Sequence, residues 1–166
     1  MLQRLFILQP QTEDMVKKIL IGLLVVLVMI QFIRPARNQS KAASPNDITA
    51  VYTLPDDVNQ ILQRSCNDCH SNYTDYPGYA NIQPLGFWLQ NHINEGKAEL
   101  NFSEFGTYEK KKQAHKLEEV AEQVEAGEMP LGNYTAMHKE AKLSKEDAII
   151  LVNWAKGLQK QIEAQL

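Results

Sequence analysis

An all-α protein is what the sequence predicts: a small helical domain behind an N-terminal membrane helix. Two segments repeat their apolar residues with the 3.6-residue period of a helix, while no stretch alternates apolar and polar residues as a half-buried strand would. A third observation, an unbroken apolar run near the start, predicts the membrane part. With 166 residues, 44% hydrophobic and 22% charged, the chain fits one globular domain plus an appendage.

The apolar run is ILIGLLVVLVMIQFI, residues 19–33, interrupted only by Gln31 and flanked by Lys17, Lys18, Arg34 and Arg37. Fifteen residues suit a signal-peptide core and are short for a spanning helix of about 20. The nearest small-x-small cleavage pattern, Ser40-Lys41-Ala42, lies well beyond the run, so residues 15–34 read as a retained signal anchor. Residues 1–14 read as a dispensable extension, because Met15 before Val-Lys-Lys makes the more typical signal start. Residues 35–52 are polar, with small residues and prolines and no apolar period, and read as a linker.

Residues 53–162 form the domain. Pro55-Asp56-Asp57 opens a first helix that places Val58, Ile61 and Leu62 on one face and leads into Cys66. A weaker helical pattern runs from Pro84 to Glu95, with Gly96 as its stop. From Tyr108 to Ala126 an amphipathic helix stacks Leu117, Val120, Ala121 and Val124, ending at Gly127. The last helix starts at Ser144-Lys-Glu-Asp147, a capping-box pattern, and aligns Leu151, Trp154, Ala155 and Leu158. Between these two helices lies GEMPLGNYTAMHKEAKL, a long loop of the kind that usually has a function.

The only two cysteines are Cys66 and Cys69, in RSCNDCHSNY, with His70 directly after the second. A thioredoxin-like disulfide would want a βαβ context and leaves His70 without a task. Structural zinc needs four ligands, and no second Cys or His pair with ligand spacing is present. C-x-x-C-H is the signature of covalent c-type haem attachment: two thiols on one helical turn add to the two vinyl groups, and the adjacent imidazole sits under the iron. This reading predicts one covalent haem c on Cys66 and Cys69, with His70 as proximal axial ligand. Such attachment takes place outside the bacterial cytoplasm, which predicts a domain in the periplasm, anchored to the inner membrane by the N-terminal segment.

The run from Cys66, CNDCHSNYTDYPGYANIQPLGFWLQNHINEGKAELNFSEF, together with EQVEAGEMP at 122–130 and the last helix, resembles the bacterial haem-binding domain family over about residues 53–160. The resemblance implies a small mono-haem relative of class I cytochromes c, often membrane-tethered, with a helical fold around the haem.

A sixth iron ligand is expected from the late loop. Met129 is the first choice, because Pro130 biases it to an extended conformation and prevents re-entry into a helix. A lone methionine is ordinarily core filler, but His/Met ligation is the usual electron-transfer pair. Met137 and His138 in the same loop, and His92 and His115 on helices, are the rivals. Tyr73, Tyr76, Tyr79 and Trp88 are candidates for haem-propionate hydrogen bonds, with ordinary loop packing as the alternative.

The function so predicted is electron transfer by Fe(III)/Fe(II) cycling with a redox protein partner, not enzymatic catalysis. The alternative is a redox or gas sensor with a labile distal ligand. From residue 45 onward 18 Asp and Glu face 11 Lys and Arg, a net charge near −7, which excludes nucleic acid as a partner.

Overall fold

The computed structural model describes residues 5–40 and 42–166. Among them the regular structure is helical, and strand pairing is limited to one antiparallel bridge between Gln39 and Tyr73. The all-α expectation holds. The chain divides into two compact units, residues 5–36 with 76–90, and residues 37–75 with 91–166.

The first unit contains α1 (Leu5–Ile30), a 3₁₀ turn (Gly78–Asn81) and the start of α5 (Leu85–Glu99). Gln31, the one interruption of the apolar run, stands just past the end of α1 and is bound to Gln83 twice. Its Nε2 donates to the Gln83 carbonyl at 3.0 Å, and its Oε1 accepts the Gln83 N–H at 2.9 Å. Arg34 donates to the Asn81 carbonyl. The apolar side chains from Met15 to Met29, and Phe32 and Ile33, are exposed.

The expected membrane helix is corrected on one point. Among the described residues no helix is long and apolar enough to cross a membrane. The uncharged apolar part of α1, 19–30, rises only about 18 Å at 1.5 Å per residue, against a hydrocarbon core of about 30 Å. Glu13, Asp14, Lys17 and Lys18 occupy the turns before it. Residues 1–4 of the expected extension lie outside the described residues, and residues 5–14 form the first turns of α1.

The second unit is built on α3 (Asp56–Ser65), α6 (Lys110–Glu125) and α8 (Lys145–Glu163), with α6 and α8 packed along much of their length. Each helix buries the face its period predicts: Val58, Ile61 and Leu62; Ala114, Leu117, Ala121 and Val124; Leu151, Val152, Ala155, Leu158 and Ile162. Leu117, Leu151 and Ile162 are fully enclosed, each such burial being worth about 1.5–3 kcal/mol. Val120 and Trp154, expected on these faces, pack at the edge of the core. The capping box of α8 is present, with Ser144 Oγ accepting the Asp147 N–H at 3.0 Å and Asp147 Oδ2 accepting the Ser144 N–H at 3.1 Å.

The stretch expected as a linker is instead fastened down at Asn38 and at Asp47 and Ile48. Asn38 Nδ2 donates to the Ser71 carbonyl and to Thr74 Oγ1, both at 2.9 Å, while Lys97 Nζ donates to Asn38 Oδ1 at 2.6 Å. Asp47 caps the short helix α2 (Ile48–Val51), and Ile48 is buried in the same core as Phe105. The polar composition read as flexibility supplies these hydrogen bonds. Helix α5 also runs past its expected stop at Gly96, to Glu99.

Candidate functional site

The amphipathic face of α3 anchors its last turn to the core, which fixes where Cys66 begins. Cys66 leaves helical geometry (φ −126°, ψ −42°) and caps the single turn α4 (Asn67–His70). Its carbonyl accepts the N–H of Cys69 at 3.1 Å and of His70 at 2.9 Å. Both cysteines and the histidine therefore stand on one closed turn. The thiols are free. Burial, aided by Cys69, pushes the Cys66 thiol up to about 12. Burial, aided by Asp68, pushes Cys69 up to about 11.

His70 Nδ1 lies 3.0 Å from the Leu100 carbonyl oxygen. A carbonyl only accepts, so Nδ1 is the donor and the neutral ring keeps its lone pair on Nε2. A second partner on the far nitrogen is the usual device for orienting a metal-bound imidazole. Burial lowers the His70 pKa, which favours the neutral, ligating form. The Phe102 ring meets the imidazole edge-on with centroids 6.4 Å apart.

Gly96 lets α5 approach this turn. A Cβ built there would stand 2.9 Å from the Cys69 carbonyl oxygen and 3.0 Å from Cys69 Cβ. The residue read as a helix stop is instead a close-approach residue inside the helix.

Helix α6 ends in a Schellman motif around Gly127, whose φ of 72° is the left-handed conformation glycine adopts without cost. The N–H of Gly127 reaches the Val124 carbonyl at 3.1 Å and that of Glu128 reaches Gln123 at 3.0 Å. The Met129 N–H also bonds the Gln123 carbonyl, at 3.2 Å. This turn holds Met129 at the end of α6.

Cys66, His70 and Met129 line one cavity of about 390 Å³, within the size range of cofactor pockets. Its apolar wall is Leu100, Phe102, Val120, Val124, Pro130, Leu143 and Leu151, and Ser65 lies beside Cys66. Glu99, Lys116, Glu119, Glu122 and Gln123 supply its polar lining. Lys116 donates to Glu119 at 2.6 Å, and that bond holds its ammonium above the usual lysine range.

Cys69 belongs to the same turn but does not line the cavity. None of the four rival iron ligands lines it either. Met137 is 49% exposed. His138 stacks on Tyr134 at 4.2 Å and 9°, with Nδ1 3.4 Å from Glu140. His115 is an exposed neighbour of Glu118 and Glu119, and His92 Nδ1 lies 3.8 Å from Glu95. Tyr73, Tyr76, Tyr79 and Trp88 are also absent from the cavity wall. The Tyr76 hydroxyl donates to Gln90 Oε1 at 2.6 Å.

Sequence reading missed three participants. The Leu100 carbonyl carries no side-chain signal, and Asp68 sits at a motif position where any residue is allowed. Lys116 gives no local signal that sets it apart from the lysines at 110–112, yet its side chain is only 12% exposed.

The donor set fits a haem of the covalent kind. Two neutral thiols and an imidazole with its free lone pair share one turn beside an apolar cavity. Among the described residues no three His, Cys, Asp or Glu side chains gather as a self-sufficient metal site. A family model described as a haem-binding domain matches residues 25–157. No curated protein and no solved structure matches the chain.

Proposed function

The chain belongs to the haem-binding domain family, and from that premise we propose that it is a membrane-tethered, mono-haem c-type cytochrome-like protein that passes electrons to a redox protein partner. One observation carries the reading: Cys66 and His70 of the C-x-x-C-H turn and Met129, from a loop 59 positions after His70, line a single, mainly apolar cavity.

When bound, the haem supplies an iron that cycles between Fe(III) and Fe(II). The chain's own groups do the rest. Cys66 and Cys69 would hold the haem covalently, each thiol adding S–H across one vinyl group with sulfur on one carbon and hydrogen on the other, so that nothing would leave and no oxidant would be consumed. His70 would offer Nε2 to the iron, its Nδ1–H being held by the Leu100 carbonyl. Met129 would offer its thioether to the iron, neutral like the imidazole, so neither side chain would change charge with the iron. The apolar side chains of the cavity keep water away.

If His70 and Met129 both ligated the iron, no position on it would be left for a substrate, and this is why we favour a carrier over an enzyme. The exposed apolar segment, 19–33, is read as the tether to the inner membrane, with the haem domain on the periplasmic side, where covalent attachment takes place.

The test is expression with a cytochrome c maturation system, followed by spectra of wild type, Met129→Ala and Met137→Ala in both oxidation states. Wild type is expected to keep its haem through denaturation, and only Met129→Ala is expected to change the iron spectrum. Absence of covalent haem would sink the proposal, and an effect confined to Met137→Ala would move the ligand. Reduced wild type is expected to bind carbon monoxide poorly; fast binding would instead support a sensor with a labile distal ligand.

A further inference from the structure

The distal loop is fastened to the attachment turn by a bond outside the haem motif. Asp68, between the two cysteines, acts as a hub. Its Oδ1 accepts the Asp75 N–H at 2.9 Å, its carbonyl accepts the Thr74 hydroxyl, and its Oδ2 accepts the hydroxyl of Tyr134 at 2.7 Å. Tyr134 belongs to α7 (Gly132–Met137), five positions after Met129, and is 7% exposed. Its ring stacks on the His138 imidazole. Its N–H reaches back to the Leu131 carbonyl at 3.0 Å.

The segment from Met129 to Tyr134 is therefore held at both ends. The Met129 N–H is tied to the end of α6, and the Tyr134 hydroxyl is tied to the turn that carries the proximal histidine. We propose that Tyr134 is a positioning residue for the distal ligand: its bond to Asp68 sets the distance between the loop bearing Met129 and the turn bearing His70. The inference rests on the His70/Met129 reading above. Its physical content is that a hydrogen bond to a buried-edge carboxylate is among the stronger ones a loop can make. Losing it favours an open loop, and an open loop leaves the sixth iron position to exogenous ligands.

The experiment uses the full chain matured with haem and titrates the ferric protein with imidazole, which competes with the distal ligand. Tyr134→Phe removes only the hydroxyl. It is expected to raise the apparent imidazole affinity about tenfold, the factor that one lost hydrogen bond to a charged group amounts to. It should also weaken the red charge-transfer band of methionine-ligated ferric haem. Asp68→Ala should behave alike, Asp68→Asn should restore part of the wild-type value because it keeps an acceptor, and the double variant should be no worse than either single.

Wild-type imidazole affinity in Tyr134→Phe would overturn the inference, even with a lowered melting temperature, since that pattern marks a merely structural residue. Additive effects in the double variant would overturn it as well. Failure of the underlying ligation looks different: Met129→Ala would then share the wild-type spectrum and imidazole affinity.

Discussion

Single atoms decide how close α5 comes to the Cys66–His70 turn. Two of the helical glycines, Gly96 and Gly157, make opposite predictions. At Gly96 a methyl group would press on the carbonyl and Cβ of Cys69, atoms that cannot swing away. Gly96→Ala is expected to cost about 1–3 kcal/mol by overpacking and to lower the yield of haem-loaded protein. At Gly157, inside α8, nothing lies within 4 Å of the added methyl, so Gly157→Ala should stabilise by about 0.4–1 kcal/mol. Urea denaturation of the two variants checks the pair, and equal signs would contradict the geometry. The same scale explains why the Leu100 carbonyl escapes sequence reading: the atom that selects the His70 tautomer is backbone, and backbone is the same at every residue.

At the scale of elements, α8 is fixed at its start by a cap and by an ion pair to α3. Arg64 lies 2.6 Å from Asp147 Oδ2. That guanidinium, with Ser144 second, holds the Asp147 carboxyl below its usual value of 3.8. A depressed carboxylate contributes stability above its unfolded value, and the contribution is lost as pH falls from there through the lower folded value. The melting-temperature gap between wild type and Asp147→Asn should therefore be present at pH 7 and close below about pH 3.8. A gap that persists in acid would assign it to packing. Ser144→Ala, which removes the capping hydroxyl, is expected to cost about 1 kcal/mol. Both ends of this argument are local in sequence except Arg64, and Arg64 was the part not legible: its partner lies 83 positions away.

On the scale of the whole molecule, the core and the cavity of the second unit share a wall. Leu151 is fully buried and belongs to both, so Leu151→Ala should lose about 2–5 kcal/mol and loosen the haem environment together. Ile149, two positions away on the same helix, is 61% exposed, and Ile149→Ala should stay within about 0.5 kcal/mol. Calorimetry of the haem-loaded variants checks both; comparable losses would mean the helix faces are misassigned.

What the sequence determined by itself was whatever is encoded within a turn or two of the chain. The apolar periods of α3, α6 and α8, the Ser144 cap, the Gly127 stop and the Cys66, Cys69, His70 spacing all arise from neighbours along a helix, and all were legible. The tertiary structure decided the rest: that Met129, not Met137 or His138, reaches the cavity wall; that Leu100 orients His70; that Asp68 holds Tyr134; and that Asn38, in the stretch expected as a linker, is fastened to Ser71 and Thr74. Each of these joins positions 30 or more apart, or depends on how closely two helices approach, and no local pattern in a single chain encodes such distances.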